Sequence, residues 1–311
     1  MPKAQLVQCG EVIDWTADAA YSAGDVIQLR DGRAAVLTTD VVAGAVVGVY
    51  VAGIFKVTKT ASMVALIGSG LFWDYSASAA HLLHRNDRDF YLGAGQEDAT
   101  SAATTVLVAL NVKPEYAVSL EHGFQSLVVQ TAGFPYAQGN GRGAGVAFSA
   151  TAEAQKADAL SLRGMAPAGI AIVDALVCVN LNGDAAAVDI NVGLANGTHA
   201  TDADSITEHL FCHIDGASTN INFQSKDGTT TVASADSTVD FTAGTPFLVQ
   251  FDLRNLEDVQ VYVDGVNVLP ASVFKLNAAT GPLRALLHME KTSDDSPGNV
   301  CAFVGARTAK V

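Results

Sequence analysis

Apolar residues recur along this chain in short runs, punctuated by Gly, Asn and Asp. Within many runs they alternate with polar residues. Gly24-Asp25-Val26-Ile27-Gln28-Leu29, Ala34–Leu37, Ala45–Val51 and Gly53–Val57 are each about one strand long. The residues between them tolerate positive φ and so make turns. A second series begins near Val146 and continues through Ile170–Asn180, Val188–Leu194, Ile206–Ile214, Asn220–Ser225, Phe247–Leu253, Val259–Val263, Pro282–Glu290 and Val300–Val304. Val259, Val261 and Val263 alternate with Gln260 and Tyr262, the period of a strand with one buried face. Lys226-Asp227-Gly228-Thr229 and Asp264-Gly265 read as hairpin turns. Two stretches depart from this pattern. Ser76–Leu83 reads as a short helical turn, and the Ala-rich Glu153–Leu162 fits either a strand or a short helix.

The pattern predicts an all-β protein. A break is expected between Asn111 and Leu120, because Pro114 cannot extend a central ladder. The expected organisation is a small β-barrel-like domain over 1–113, a linker over 114–120, and a two-sheet sandwich of jelly-roll or lectin-like type over 121–311.

Composition narrows the function. Of 311 residues 49% are hydrophobic and 16% charged, which supports a packed core and excludes a disordered chain. The net charge of −14 argues against nucleic acid as a partner, because phosphate binding needs clustered Lys and Arg. Residues 116–311 carry 20 acidic against 10 basic groups, and residues 1–115 carry 12 against 8, so the acidity sits mainly on the second half. The chain has no long apolar run for a spanning helix or a secretion leader, so no membrane partner is expected. Cys9, Cys178, Cys212 and Cys301 lack CxxC spacing and read as thiols rather than a disulfide framework.

Catalytic patterns are missing. There is no E-x-D-x-x-E strand of a glycoside hydrolase, no G-x-S-x-G elbow and no P-loop, so neither an enzyme nor a cofactor is expected. His209-Leu210-Phe211-Cys212-His213 clusters three metal-ligand types. On a strand, however, His209 and His213 lie ~13 Å apart with Cys212 on the other face. The weak metal candidates are Asp202 and Asp204, with Asp184 nearby, as calcium ligands. Trp15 and Trp73 belong to a core or an oligomer interface. Tyr136 and Tyr262 are the candidates for stacking against a glycan.

The first half also carries a resemblance. Ile13–Ile27 contains Ala23-Gly24-Asp25-Val26-Ile27; Val46–Val57 contains Ala52-Gly53-Ile54-Phe55; Leu71-Phe72-Trp73-Asp74 and Val106-Leu107-Val108-Ala109-Leu110-Asn111 follow. This order is similar to the capsid cement (decoration) proteins of tailed bacteriophages, over roughly the first 112 residues. The resemblance implies a non-enzymatic virion protein on the outer capsid surface, made in the host cytoplasm. Its implied partners are the major capsid protein and itself, as a homodimer or homotrimer, and it would brace neighbouring capsid subunits against the pressure of packed DNA. Pro2, Lys3, Gln5 and Leu6 form a candidate arm for contacting the capsid or another copy. The second half looks like a jelly-roll addition, and Phe251–Gly265 has a lectin-like strand and hairpin. The competing reading is a surface adhesin that binds a host glycan through that sandwich.

Overall fold

Period-two alternation becomes strands throughout the computed structural model, which describes residues 11–129, 136–139, 143–183, 188–200 and 202–308. Among these residues the only helical pieces are two single 3-10 turns, Pro167–Gly169 and Ala203–Ser205. None is long or apolar enough to cross a membrane. The chain divides into two units, residues 1–115 and 116–311.

Unit 1 contains β1 (Val12–Thr16), β2 (Val26–Gln28), β3 (Ala34–Leu37), β4 (Val46–Tyr50), β5 (Ile54–Thr58), β6 (Gly70–Asp74), β7 (Ala79–His81), β8 (Phe90–Gly95) and β9 (Thr105–Leu110). They form two sheets, ordered β1-β4-β3-β2 and β5-β9-β8-β6-β7. The first buries Ile27, Leu37, Val47 and Val49 against Trp15 and Tyr21, whose rings meet edge-on at 5.6 Å. Asn111, in the left-handed region, ties this sheet to the end of β9. Its Nδ2 donates to the carbonyls of Ala34 (2.9 Å) and Val51 (2.8 Å), and its Oδ1 accepts from the Ala34 amide. Three backbone groups that would otherwise lie unpaired at a sheet end are thus satisfied by one side chain.

The helical turn expected over Ser76–Leu83 does not form. The Asp74 carboxylate accepts from the Ser76 amide (2.9 Å), the Ser76 hydroxyl (2.6 Å) and the Ala77 amide (2.9 Å), which reverses the chain into β7. A local side-chain turn here outcompetes the helix.

Unit 2 contains β10 (Val118–Ser119), β11 (Phe124–Val129), β12 (Tyr136–Gly139), β13 (Ala144–Phe148), β14 (Glu153–Ser161), β15 (Ile170–Leu181), β16 (Val188–Ala195), β17 (Glu208–Asp215), β18 (Asn220–Asp227), β19 (Thr231–Asp240), β20 (Phe247–Asp252), β21 (Gln260–Val263), β22 (Val266–Asn267), β23 (Arg284–Asp294) and β24 (Gly298–Thr308). One sheet runs β12-β13-β24-β15-β20-β21-β22, with β10 also on β24; the other runs β11-β14-β23-β16-β17-β18-β19. Between them lies a continuous core that includes Val146, Val177, Ile190, Leu210, Phe223, Phe251, Phe274, Leu287 and Val304. This is the expected sandwich.

Of the two readings open for Glu153–Leu162, the strand forms, over Glu153–Ser161: Ala157 and Ala159 face the core while Lys156, Asp158 and Leu160 occupy the other face. The proposed linker 114–120 is largely built into unit 2. Val118 and Leu120 are buried in its core, and Val118-Ser119 pairs with β24.

Candidate functional site

On β4 of unit 1, Val47 and Val49 point inward, so Val46, Gly48 and Tyr50 face out. Val42, Val46 and Ile54 are 68%, 65% and 62% exposed, far more than apolar side chains of this size usually are in a folded domain. Thr39, Asp40, Val41, Val42, Ala45, Val46, Val47 and Gly48 line an open groove of about 530 Å³ beside this strand. The Tyr50 ring lies 5.7 Å from that of Phe55 in β5, and Ile54, the neighbouring residue of that strand, is also exposed. Such a surface lowers its free energy when another molecule covers it.

Unit 2 places a different chemistry on the non-core face of its second sheet. Strand pairing sets Asp158, His288, Asn191, His213, Asn222 and Asp236 side by side, one each from β14, β23, β16, β17, β18 and β19. Beside this rung run Lys156, Glu290, Asp189 and Asp215. His288 is fully buried. Its Nδ1 lies 2.5 Å from Asp158 Oδ1, and its Nε2 lies 3.0 Å from Glu290 Oε2. Burial pulls its pKa down, but the hydrogen bonds and charges of the two carboxylates overcome this and raise it to about 9. At neutral pH it is therefore an imidazolium held between two anions, with no lone pair to offer a substrate. Lys156 adds a second cation 2.8 Å from Asp158 Oδ2 and also donates to the His199 carbonyl.

At the other end of the rung, His213 bonds Asn191 Oδ1 through Nδ1 (2.9 Å) and approaches Asp215 through Nε2 (3.2 Å). Asp189 lies 3.2 Å from the same Nδ1; burial drives its pKa up to about 6, against the pull of His213. Gln224 donates to Asp204, which anchors the turn Ala203–Ser205 on the sheet. The turn also seals a small apolar cluster of Leu160, Ala195, Ala203, Ile206, Phe211 and Leu286. His288, Asp158 and Lys156 are buried and mutually paired at one end of this face, while Asp215 and Asp236 are exposed at the other.

The residues singled out from the sequence fall out as follows. Pro2, Lys3, Gln5 and Leu6, as well as Cys9 and Asp184, lie outside the described residues. Asp202 and Asp204 come together, and Asp189, which the sequence reading missed, joins them with carboxylate oxygens within 4.8 Å. In this cluster Asp202 accepts from the Asp204 amide (2.7 Å) and Asp204 from Gln224. Cys212 faces the core, where burial pushes its thiol up to about 12. His209 stacks on Phe211 at 4.5 Å on the opposite face. Tyr136 and Tyr262 lie on strands five steps apart in one sheet, ~24 Å at the usual strand spacing, and are not brought together. Trp15 packs against the unit 1 core and Trp73 is buried.

No curated protein sequence matches the chain. Among solved structures, the carbohydrate recognition domain of Emp47p aligns over 59% of this chain and 88% of its own at 10% identity, with a TM-score of 0.40. The carbohydrate binding module CBM66 from Bacillus subtilis aligns over 60% and 95% at 7% identity, with a TM-score of 0.35. The alginate lyase AlgAT5, of polysaccharide lyase family 7, aligns over 58% and 85% at 11% identity, also with a TM-score of 0.35. Residues 7–110, within unit 1, match the model of the phage cement protein family.

Proposed function

We propose that this chain is a non-enzymatic structural protein of a phage virion. Unit 1 binds the outside of the capsid and bridges neighbouring major-capsid subunits, and unit 2 is an acidic sandwich. The observation that carries this reading is the match of residues 7–110 to the phage cement protein family, which falls on unit 1. The exposed apolar residues Val42, Val46, Tyr50 and Ile54 of unit 1 support it, because a docking domain needs apolar area left uncovered by its own fold. A ligand that binds only the assembled shell stabilises it by mass action, and many copies multiply a modest interface. The excess of acidic groups in unit 2 keeps particles apart and away from free nucleic acid.

The test is co-sedimentation of the purified full chain with expanded capsids of its own phage prepared without it. Wild type is expected to pellet with the shells and raise their melting temperature. The double variant V46D/I54D is expected to bind at least tenfold more weakly while keeping its circular dichroism spectrum. Val273→Asp, at an exposed apolar position of unit 2, serves as the control and is expected to bind normally. Failure of wild type to bind such capsids would overturn the proposal.

A further inference from the structure

Cys178 and Cys301 are far apart in sequence, yet they are direct partners in the ladder of β15 and β24. Val177 and Val179 on β15, and Val300 and Ala302 on β24, face the core, so both cysteines project from the outer face of the sheet. Leu176 stands opposite Phe303, and at the register shift beyond Val179, where Leu181 is the partner of Asn299, Asn180 Nδ2 still reaches across to Asn299 Oδ1 at 3.3 Å. Neither thiol is in a disulfide and both are partly exposed, unlike the buried Cys212; Cys178 Sγ donates weakly to Asn180 Oδ1 at 3.6 Å. On its other flank Cys301 pairs with Gly145, which has no side chain to screen the sulfur. Directly opposed residues of an antiparallel pair have Cα atoms roughly 4.5–5.5 Å apart, inside the roughly 4.4–6.8 Å range that a disulfide spans. The electrostatics agree with this proximity: the Cys178 thiol is pushed up first by burial and then by the neighbouring Cys301.

We infer that Cys178 and Cys301 are an oxidisable pair that closes into a cross-strand disulfide and clamps β15 to β24 at the centre of the first sheet of unit 2. The oxidant is a low-molecular-weight disulfide. The thiolate of one cysteine attacks a sulfur of that reagent, forming a mixed disulfide and expelling one thiolate. The thiolate of the second cysteine then attacks the protein sulfur of the mixed disulfide and expels the other. Two protein thiols lose two protons and two electrons, and the reagent is reduced to two thiols. The chain is made with both cysteines reduced in a reducing compartment and closes the bond on entering an oxidising medium. The inference does not depend on the capsid-binding reading of unit 1.

The experiment treats the reduced full chain with oxidised glutathione, blocks remaining thiols with iodoacetamide and maps the peptides by mass spectrometry. The expected result is one peptide pair joined through Cys178 and Cys301, two hydrogens lighter than its parts, with Cys212 unreacted until the protein is unfolded. Because the bond would close a long loop, the melting temperature of unit 2 is expected to rise by at least ~5 °C. Dithiothreitol should reverse the rise, and Cys301→Ser, checked for folding by circular dichroism, should abolish it. Mapping of the wild-type chain needs no variant. Alkylation of both cysteines after oxidation, glutathione retained on either one, or a cross-link between two chains would each overturn the inference, as would a joined pair without any rise in melting temperature.

Discussion

Unit 2 should lose stability on the alkaline side of neutrality, and one buried side chain should account for it. His288 is held at about 9 in the folded chain against about 6.5 when unfolded. A cation whose pKa rises on folding contributes fully below the unfolded value, and that contribution drains away as pH climbs through the folded one. The difference corresponds to about 3 kcal/mol, of the size measured when a buried charge loses its partner. The window runs from pH 6.5 to 9. Below it the Asp189 carboxyl titrates, and above it the Cys212 thiol, raised by burial, begins its own alkaline loss. Within the window Asp158 and Glu290 lose their partner, and only Lys156 still neutralises Asp158.

The perturbation is His288→Gln, which keeps a hydrogen-bonding side chain but removes the charge. At pH 6.5 the variant should be about 3 kcal/mol less stable than wild type, and its stability should stay flat to pH 9, where the two converge. With a urea slope of about 2 kcal/mol/M, the wild-type midpoint should fall by ~1.5 M across the window. Both tryptophans, Trp15 and Trp73, belong to unit 1, so their fluorescence follows that unit alone, whereas far-ultraviolet circular dichroism sees both. The predicted shift belongs to the dichroism transition that fluorescence does not share. A wild-type midpoint that is level or rises from pH 6.5 to 9, or a variant that tracks wild type in parallel, would refute the assignment.

Two further outcomes follow from close packing and from acid titration. A Cβ at Gly193 would sit 2.1 Å from the Leu210 carbonyl oxygen in the middle of the second sheet. Gly193→Ala should therefore cost about 3 kcal/mol or more in urea unfolding, while Gly197→Ala, with nothing within 4 Å, should stay within about 0.5 kcal/mol of wild type. On the acid side, burial holds His209 at about 4, so the unfolded chain takes up its proton first and stability falls as pH drops from 6.5 to 4. Asp189, raised to about 6, acts in the opposite sense, which is why the comparison must be between variants. Relative to wild type, His209→Gln should gain up to about 3 kcal/mol between pH 6.5 and 4, read from urea midpoints at each pH.

What could be read from the sequence was what lies along single strands. The alternation of Val259, Val261 and Val263 and the Asp264-Gly265 turn, both residues at positive φ, specify one hairpin without reference to anything distant. The Ala-rich β14 escaped because Ala serves helix and strand alike; only its position between β11 and β23 makes Ala157 and Ala159 core residues. Ser76–Leu83 failed for a local reason, the reach of the Asp74 carboxylate to the amides of Ser76 and Ala77. The candidate sites were hidden more deeply, because they are made across strands. Ala45–Val51 reads as one strand, and only the pleat of β4 against β1 turns Val46 outward. Asp158, Asn191 and His288 are each an unremarkable polar residue in an alternating strand. They become a network because β23 inserts between β14 and β16, an order that no local pattern encodes. The cysteines follow the same rule: spacing along the chain argued against a disulfide framework, and antiparallel pairing of β15 with β24 sets Cys178 against Cys301. Chemistry in this protein is a property of register, and register is fixed by the non-local packing of whole strands.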